Sequence, residues 1–245
     1  MPHPGTRVVR GKKTFVPLEN NPEVFRRLAS NMGLSPRLDF FDVLDVNDPE
    51  LLAFIPRPVH AIIFLCPEDV YHATRDETEE QMEEYQGCGS AEPVMWFKQT
   101  IGHACGLMAF LHSLMNNGAG RSCIPPGSQL DRILQSSIPL LPEARADLLY
   151  ESDFLEMAHM NAAGIGDSAA PLPEDPNYFH FMAFVKADDG HLWELNGGLP
   201  GPIDHGLLEP DEDALSPRAL DRTVRQFISG HVPDIRHSIV ALGPA

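Results

Sequence analysis

The feature that most constrains this chain is a pair of apolar runs hinged on Asp188-Asp189-Gly190. His180–Lys186 precedes the hinge and His191–Leu195 follows it. Asp-Gly suits the positive φ of a tight two-residue turn, so the runs are predicted to fold back as a β-hairpin. Hairpin strands are antiparallel. Such a pairing sets His180 and Asn196 on or beside neighbouring strands. Val59–Leu65, rich in β-branched and aromatic residues after two prolines, reads as a buried strand. Phe40–Val46 and Ser238–Leu242 read as further strands.

Helices fall between them. Asn21-Pro22-Glu23 opens the first, with a capping side chain, proline at the first position and an acid near the positive end. Val24, Leu28 and Met32 line it, and Gly33 stops it. A second starts near Cys105, carries Leu107, Phe110, Leu111 and Leu114 at i, i+3, i+4 and i+7, and ends at Asn117-Gly118. A last one begins at Ser216-Pro217, carries Leu220, Val224, Phe227 and Ile228, and ends at Gly230. Helices and strands without a βαβ rhythm favour a mixed or α+β sheet over a doubly wound one. No GxGxxG or P-loop occurs, which argues against a nucleotide enzyme. From about Glu151 to Asn177 the chain holds Gly164, Gly166, Pro171, Pro173 and Pro176, and is predicted to be one long loop.

Composition narrows the function. The 245 residues suit a single domain over 1–245. A net charge of −17 would be repelled by phosphate backbones, so the expected partner is basic and not nucleic acid. The longest apolar runs, such as Ala61–Cys66, fall far short of the roughly 18 residues of a membrane span. The N-terminus lacks the apolar core of a signal peptide. A soluble protein of the cytosol or nucleus is expected. Cys66, Cys88, Cys105 and Cys123 form no CxxC pair, so neither structural zinc nor another cofactor is expected. Asp76–Glu84 holds six acids and no base, the pattern of a solvated helix face or loop.

The chemistry concentrates in Gln99-Thr100-Ile101-Gly102-His103-Ala104-Cys105-Gly106. A cysteine at a helix start meets unpaired N–H groups and the positive helix end, which favour its thiolate. Gly106 leaves room for substrate, and Gln99 offers an N–H to an oxyanion. A cysteine nucleophile needs a base and an orienting group, and His180 and Asn196 are the candidates. Each has a plainer reading: a small core thiol, a half-buried polar residue at a strand edge, and an Asn-Gly-Gly turn.

Further motifs bear on that choice. They run in order from Pro17-Leu18-Glu19-Asn20-Asn21-Pro22-Glu23-Val24 through Asp48-Pro49-Glu50-Leu51-Leu52 and Ile55-Pro56-Arg57-Pro58-Val59. Lys98-Gln99-Thr100-Ile101, Ala104-Cys105-Gly106 and His180-Phe181 follow. Gly190-His191-Leu192-Trp193-Glu194-Leu195 and Gly201-Pro202-Ile203-Asp204-His205-Gly206 complete them. Together they resemble the ubiquitin C-terminal hydrolase family of papain-like cysteine deubiquitinases, above all its small single-domain members. The resemblance covers about Phe15 to Leu242. It implies a knotted α+β fold, an antiparallel sheet flanked by helices, and a loop over the active site near Glu151–Asn177 that limits the leaving group. It implies Cys105 as nucleophile, His180 as base and acid, Gln99 with the Cys105 N–H as oxyanion hole, and Asn196 in the place of an aspartate. It implies a monomer acting on ubiquitin, with a ubiquitin-like modifier as the alternative substrate. Contacts are expected from Pro17, Leu18, Glu19 and Asn21, and from acids such as Glu209, Asp211, Glu212 and Asp213 towards a basic tail.

Two positions depart from the family pattern. Asn196 accepts from an imidazole N–H, expected at Nδ1, but brings no charge to stabilise an imidazolium, so a slower enzyme is expected. It also opens a second reading, a ubiquitin-binding protein with little catalysis. His103 stands where the family commonly has asparagine.

Overall fold

The computed structural model describes residues 3, 5–229 and 236–245. In chain order come β1 (Arg7–Val9), β2 (Lys12–Thr14), α1 (Pro22–Asn31), β3 (Leu38–Asp42), α2 (Pro49–Leu52) and β4 (Ala61–Pro67). Next are α3 (Glu68–Glu79), α4 (Cys105–Met115), α5 (Gly118–Ser122), α6 (Gln129–Ser137), α7 (Pro142–Tyr150) and α8 (Asp153–Ala163). The chain continues with β5 (Phe179–Lys186), β6 (His191–Leu195) and β7 (Ile203–Leu207). It closes with α9 (Pro217–Arg222), α10 (Val224–Ser229) and β8 (Ser238–Pro244).

Six strands form one antiparallel sheet in the order β3-β8-β4-β5-β6-β7, making the fold α+β. The last strand lies between two formed early in the chain. Helices cover both faces, which explains why β4 reads as an unbroken apolar run. Ala61 and Ile63 join the core with α1 and α4, while Ile62, Phe64 and Cys66 join the core with α3 and α9. The hairpin forms as predicted, with Ala183 opposite Leu195. Asn21 caps α1 by accepting from the Glu23 N–H. All eleven residues of α4 are buried, and the helix lies against β5.

Three expectations need correction. The predicted long loop contains α8, so the irregular stretch shrinks to residues 164–178. Ser152 caps α8 through the Leu155 N–H, and Leu155, Ala158, His159 and Ala162 form a buried i, i+3, i+4, i+7 stripe. Prolines and glycines crowd only the C-terminal half of the predicted loop. The helix from Pro217 breaks at Thr223, whose φ of −129° and ψ of −103° are not helical. Its expected end at Gly230 lies outside the described residues. The strand predicted to begin at Phe40 is shifted to Leu38–Asp42. None of the four cysteines is in a disulfide.

Candidate active site

Cys105 is the first residue of α4, and Ala104 before it provides no side-chain cap. The first-turn N–H groups therefore stay available near the sulfur. Burial nevertheless pushes the thiol pKa up, against the lowering pull of the Phe181, Gly106 and Cys105 N–H groups. The pull of the helix start towards the thiolate is thus present but outweighed by burial. Gly106 also has a different reason from the one expected. A Cβ there would lie 3.3 Å from Leu18 and 3.4 Å from the Phe181 ring, so glycine permits close packing of the chain onto α4.

The turn before Cys105 is clamped by β2. Gly102 accepts from the Phe15 N–H at 3.0 Å and donates to the Lys13 carbonyl at 2.8 Å. His103 then takes a φ of +56°, a left-handed conformation that asparagine and glycine tolerate best. The backbone thus accounts for the asparagine of the family pattern and for histidine as an acceptable substitute.

His180 begins the inner part of β5, beside Phe181. Its Nε2 faces Asn196 Oδ1 at 2.8 Å. The Gly198 N–H also reaches Oδ1, at 2.8 Å, which identifies that atom as the amide oxygen. Nε2 must therefore donate, and the imidazole's lone pair is at Nδ1. The structure reverses the nitrogen expected to face Asn196. Asn196 Nδ2 donates to the Tyr71 hydroxyl at 2.9 Å, and the Tyr71 ring sits 4.6 Å from the His180 ring. Burial holds His180 below its ordinary pKa, while Asn196 and the buried Glu194 pull the other way. Thiol and imidazole are both biased towards their neutral forms.

Gln99 joins the same constellation through backbone. Its N–H donates to the Gly197 carbonyl at 2.8 Å, and a Cβ at Gly197 would lie 2.7 Å from the Phe97 carbonyl oxygen. The Asn-Gly-Gly turn thus keeps Gln99 beside Asn196. The Trp96 indole N–H fastens the turn from below by donating to the Asn196 carbonyl at 3.0 Å. Gln99 Nε2 gives one hydrogen to the Ile101 carbonyl at 3.1 Å and keeps a second.

The expected partner contacts divide. Leu18 is a core residue, 5% exposed, and is not a surface contact. Pro17 is half-buried. Glu19 and Asn21 bond the loop that follows α8. Glu209 and Asp211 are exposed near Lys186, whose Nζ donates to the Glu209 carbonyl. That end of β5 is about 20 Å from His180 by strand rise. Asp213 is buried, pairing with Arg57 at 2.6 Å and accepting from the Val59 N–H, so it serves the fold. The acids of Asp76–Glu84 end α3 and the turn beyond it, largely in solvent.

Tyr71 and Trp96 escaped the sequence reading. Val70, Tyr71 and Arg75 form a buried stripe on an otherwise charged α3, a signal hidden by the acids after Arg75.

A thiol on a helix N-terminus, an imidazole held by a side-chain amide, and a glutamine fixed to the same turn are the groups a papain-like thiol hydrolase would use. Residues 15–229 match Ubiquitin carboxyl-terminal hydrolase, family 1, and the chain belongs to that family. It is 35% identical over 208 residues to a ubiquitin carboxyl-terminal hydrolase of Aplysia californica, covering 83% of this chain and 92% of the relative. The match to ubiquitin carboxyl-terminal hydrolase YUH1 of Saccharomyces cerevisiae is 35% over 215 residues, 86% of each chain. In fold the chain is similar to the Trichinella spiralis UCH37 catalytic domain bound to ubiquitin vinyl methyl ester. That likeness has a TM-score of 0.68 at 20% identity, covering 94% of this chain and 95% of the other.

Proposed function

We propose that this chain is a deubiquitinating thiol hydrolase that cleaves esters, thioesters or amides at the C-terminal glycine of ubiquitin. The observation that carries the reading is the His180 Nε2–Asn196 Oδ1 bond of 2.8 Å. It leaves Nδ1 as the base on the residue next to Phe181, whose N–H lies against the Cys105 thiol. Family membership supports the substrate class.

Burial favours the neutral thiol, so attack and deprotonation go together. Cys105 Sγ bonds to the carbonyl carbon as its proton passes to His180 Nδ1. The free Gln99 Nε2–H and the Cys105 backbone N–H receive the negative charge on the carbonyl oxygen. His180 returns the proton to the leaving oxygen, sulfur or nitrogen as its bond to the carbonyl carbon breaks. Water, deprotonated by His180, then cleaves the thioester and restores the thiol. The net negative charge of the chain favours approach of a basic tail, an attraction that salt weakens.

The test is turnover of a ubiquitin C-terminal fluorogenic amide by the chain and by Cys105→Ala. Turnover abolished by the substitution supports the reading. Binding without turnover would make the chain a ubiquitin-binding protein. Turnover unchanged in Cys105→Ala would refute the site. Faster turnover of a ubiquitin-like modifier's amide would reassign the substrate.

A further inference from the structure

The N-terminal hairpin stands before the span that matches the family, which begins at residue 15. Its strands β1 and β2 are joined by Arg10-Gly11, both at positive φ, a tight two-residue turn. A two-stranded hairpin is marginal alone in water. Val8, 74% exposed, brings it little burial. What holds it is one carboxylate. Glu156 of α8 is buried, and its carboxylate lies 2.7 Å from Lys13 Nζ. It also accepts from the Thr6 hydroxyl at 2.8 Å and from the His3 N–H. Burial works to raise the Glu156 pKa, but Lys13, the His3 N–H and Thr6 outweigh it and hold the carboxyl below its ordinary value. Lys13 Nζ donates to the Tyr150 carbonyl at 2.7 Å as well, and lies over the Phe15 and Tyr150 rings.

The backbone around the same lysine holds the turn before Cys105. The Lys13 carbonyl accepts the Gly102 N–H at 2.8 Å, and the Phe15 N–H donates to the Gly102 carbonyl at 3.0 Å. Thr14 pairs with Gly102 in a parallel bridge. A Cβ at Gly102 would lie 2.6 Å from Thr14 Oγ1, so turn and strand fit closely. Lys13 thus joins α7 and α8, through its side chain, to the start of α4, through its carbonyl.

We infer that Lys13 is a positioning residue for the hydrolysis: anchored on Glu156, it holds β2 against Gly102 and so fixes where Cys105, three residues on, presents its sulfur. The inference rests on the hydrolase reading above. It makes residues outside the family span part of this chain's catalytic apparatus. Removing the ammonium leaves a buried charge without its counter-ion, a strongly destabilising state. The hairpin has too little stability of its own to withstand it, so β2 leaves the turn while the sheet and α4 stay folded. Misplacing a reacting group by about 1 Å costs up to about 100-fold in rate.

The experiment measures kcat and KM on the ubiquitin C-terminal fluorogenic amide, together with hydrogen exchange at the Gly102 amide. Lys13→Met keeps the length of the side chain and removes its charge. It is expected to lower kcat about tenfold with KM changed less than about twofold. Gly102 exchange should quicken while the circular dichroism spectrum is unchanged. Adding Glu156→Met to Lys13→Met removes both charges, and this double variant is expected to recover most of kcat. A merely structural lysine would lower kcat only in proportion to the protein lost to unfolding, and that result overturns the inference. So does an unchanged kcat, or a double variant no better than Lys13→Met. Thr6→Val withdraws one donor from Glu156 and leaves Lys13 in place, so a smaller fall in kcat is expected. It decides the matter if Lys13→Met does not fold, and unchanged kcat and Gly102 exchange there would refute the tether. Absence of amide turnover by the unmodified chain would instead overturn the hydrolase reading, and Gly102 exchange would then still report on the tether by itself.

Discussion

Asn196 Oδ1 accepts from both His180 Nε2 and the Gly198 N–H, while Nδ2 donates to Tyr71. Replacing Nδ2 by oxygen in Asn196→Asp requires no movement. The Tyr71 hydroxyl, kept protonated because burial raises its pKa, turns from accepting to donating. The new charge favours the imidazolium and, through it, the Cys105 thiolate. We expect Asn196→Asp to equal or exceed the parent in kcat/KM on the ubiquitin amide. Alkylation of Cys105 by a small haloacetamide near pH 6.5 should also be faster. A large loss of activity would show the amide to be required by this hydrogen-bond set. Tyr71→Phe keeps the ring on His180 but strands the buried Asn196 N–H. An unpaired donor of this kind costs about 1–3 kcal/mol. The urea midpoint and kcat should both fall, with KM little changed, and a fall in the midpoint alone would limit Tyr71 to a structural role.

At the scale of elements, the turn at 100–104 aims α4, and its tightest point is His103 at φ +56°. A β-branched residue resists that conformation, whose cost for an L-residue is roughly 1–2 kcal/mol. His103→Val should therefore lose stability in urea, by less than that full cost because histidine already bears part of it, and reduce kcat, because Cys105 is two residues away. His103→Asn should retain both, and equal stability for valine and asparagine would remove backbone conformation as the reason for the residue. This turn also marks where sequence reading ends. The α1 cap, the Asp-Gly hairpin and the apolar stripe of α4 are local signals, and each matches its element. Cys105, His180, Gln99 and Asn196 were legible as a candidate set through motif order. Their fastenings were not, because Trp96, Tyr71 and Gly197 matter only after distant segments meet. The placement of β8 between β3 and β4 is likewise a long-range pairing. The helices α5, α6 and α7 were missed and α8 was merged into a loop. Their short apolar stripes compete with nearby glycines and prolines.

At the scale of the whole molecule, two buried imidazoles on different elements couple folding to pH. His112 in α4 accepts the Phe97 N–H at Nε2, so a proton there would set one N–H against another. Burial pushes its pKa down to about 3. His159 in α8 donates from Nε2 to the Val16 carbonyl, and its buried Nδ1 has no hydrogen-bond partner. Burial pushes it down to about 4. Both lie below the ordinary histidine value of 6.5, so the unfolded chain binds protons that the folded chain refuses. Their contribution is complete above pH 6.5 and is lost as pH falls towards 4. Each group costs ~1.4 kcal/mol per pH unit in that window. Half-exposed His191 shifts the opposite way beside Asp204, but Asp204 and solvent share that charge at the surface. One sheet joins both cores, so both protonations should feed a single cooperative transition. These two groups together should make the free energy of unfolding in urea about 4 kcal/mol lower at pH 5 than at pH 7, and the buried His180 changes it in the same direction. His159→Gln retains a donor for Val16 and removes one titrating group, so it should flatten that dependence by about half. Equal stability at the two pH values would mean that these imidazoles accept protons without unfolding the chain.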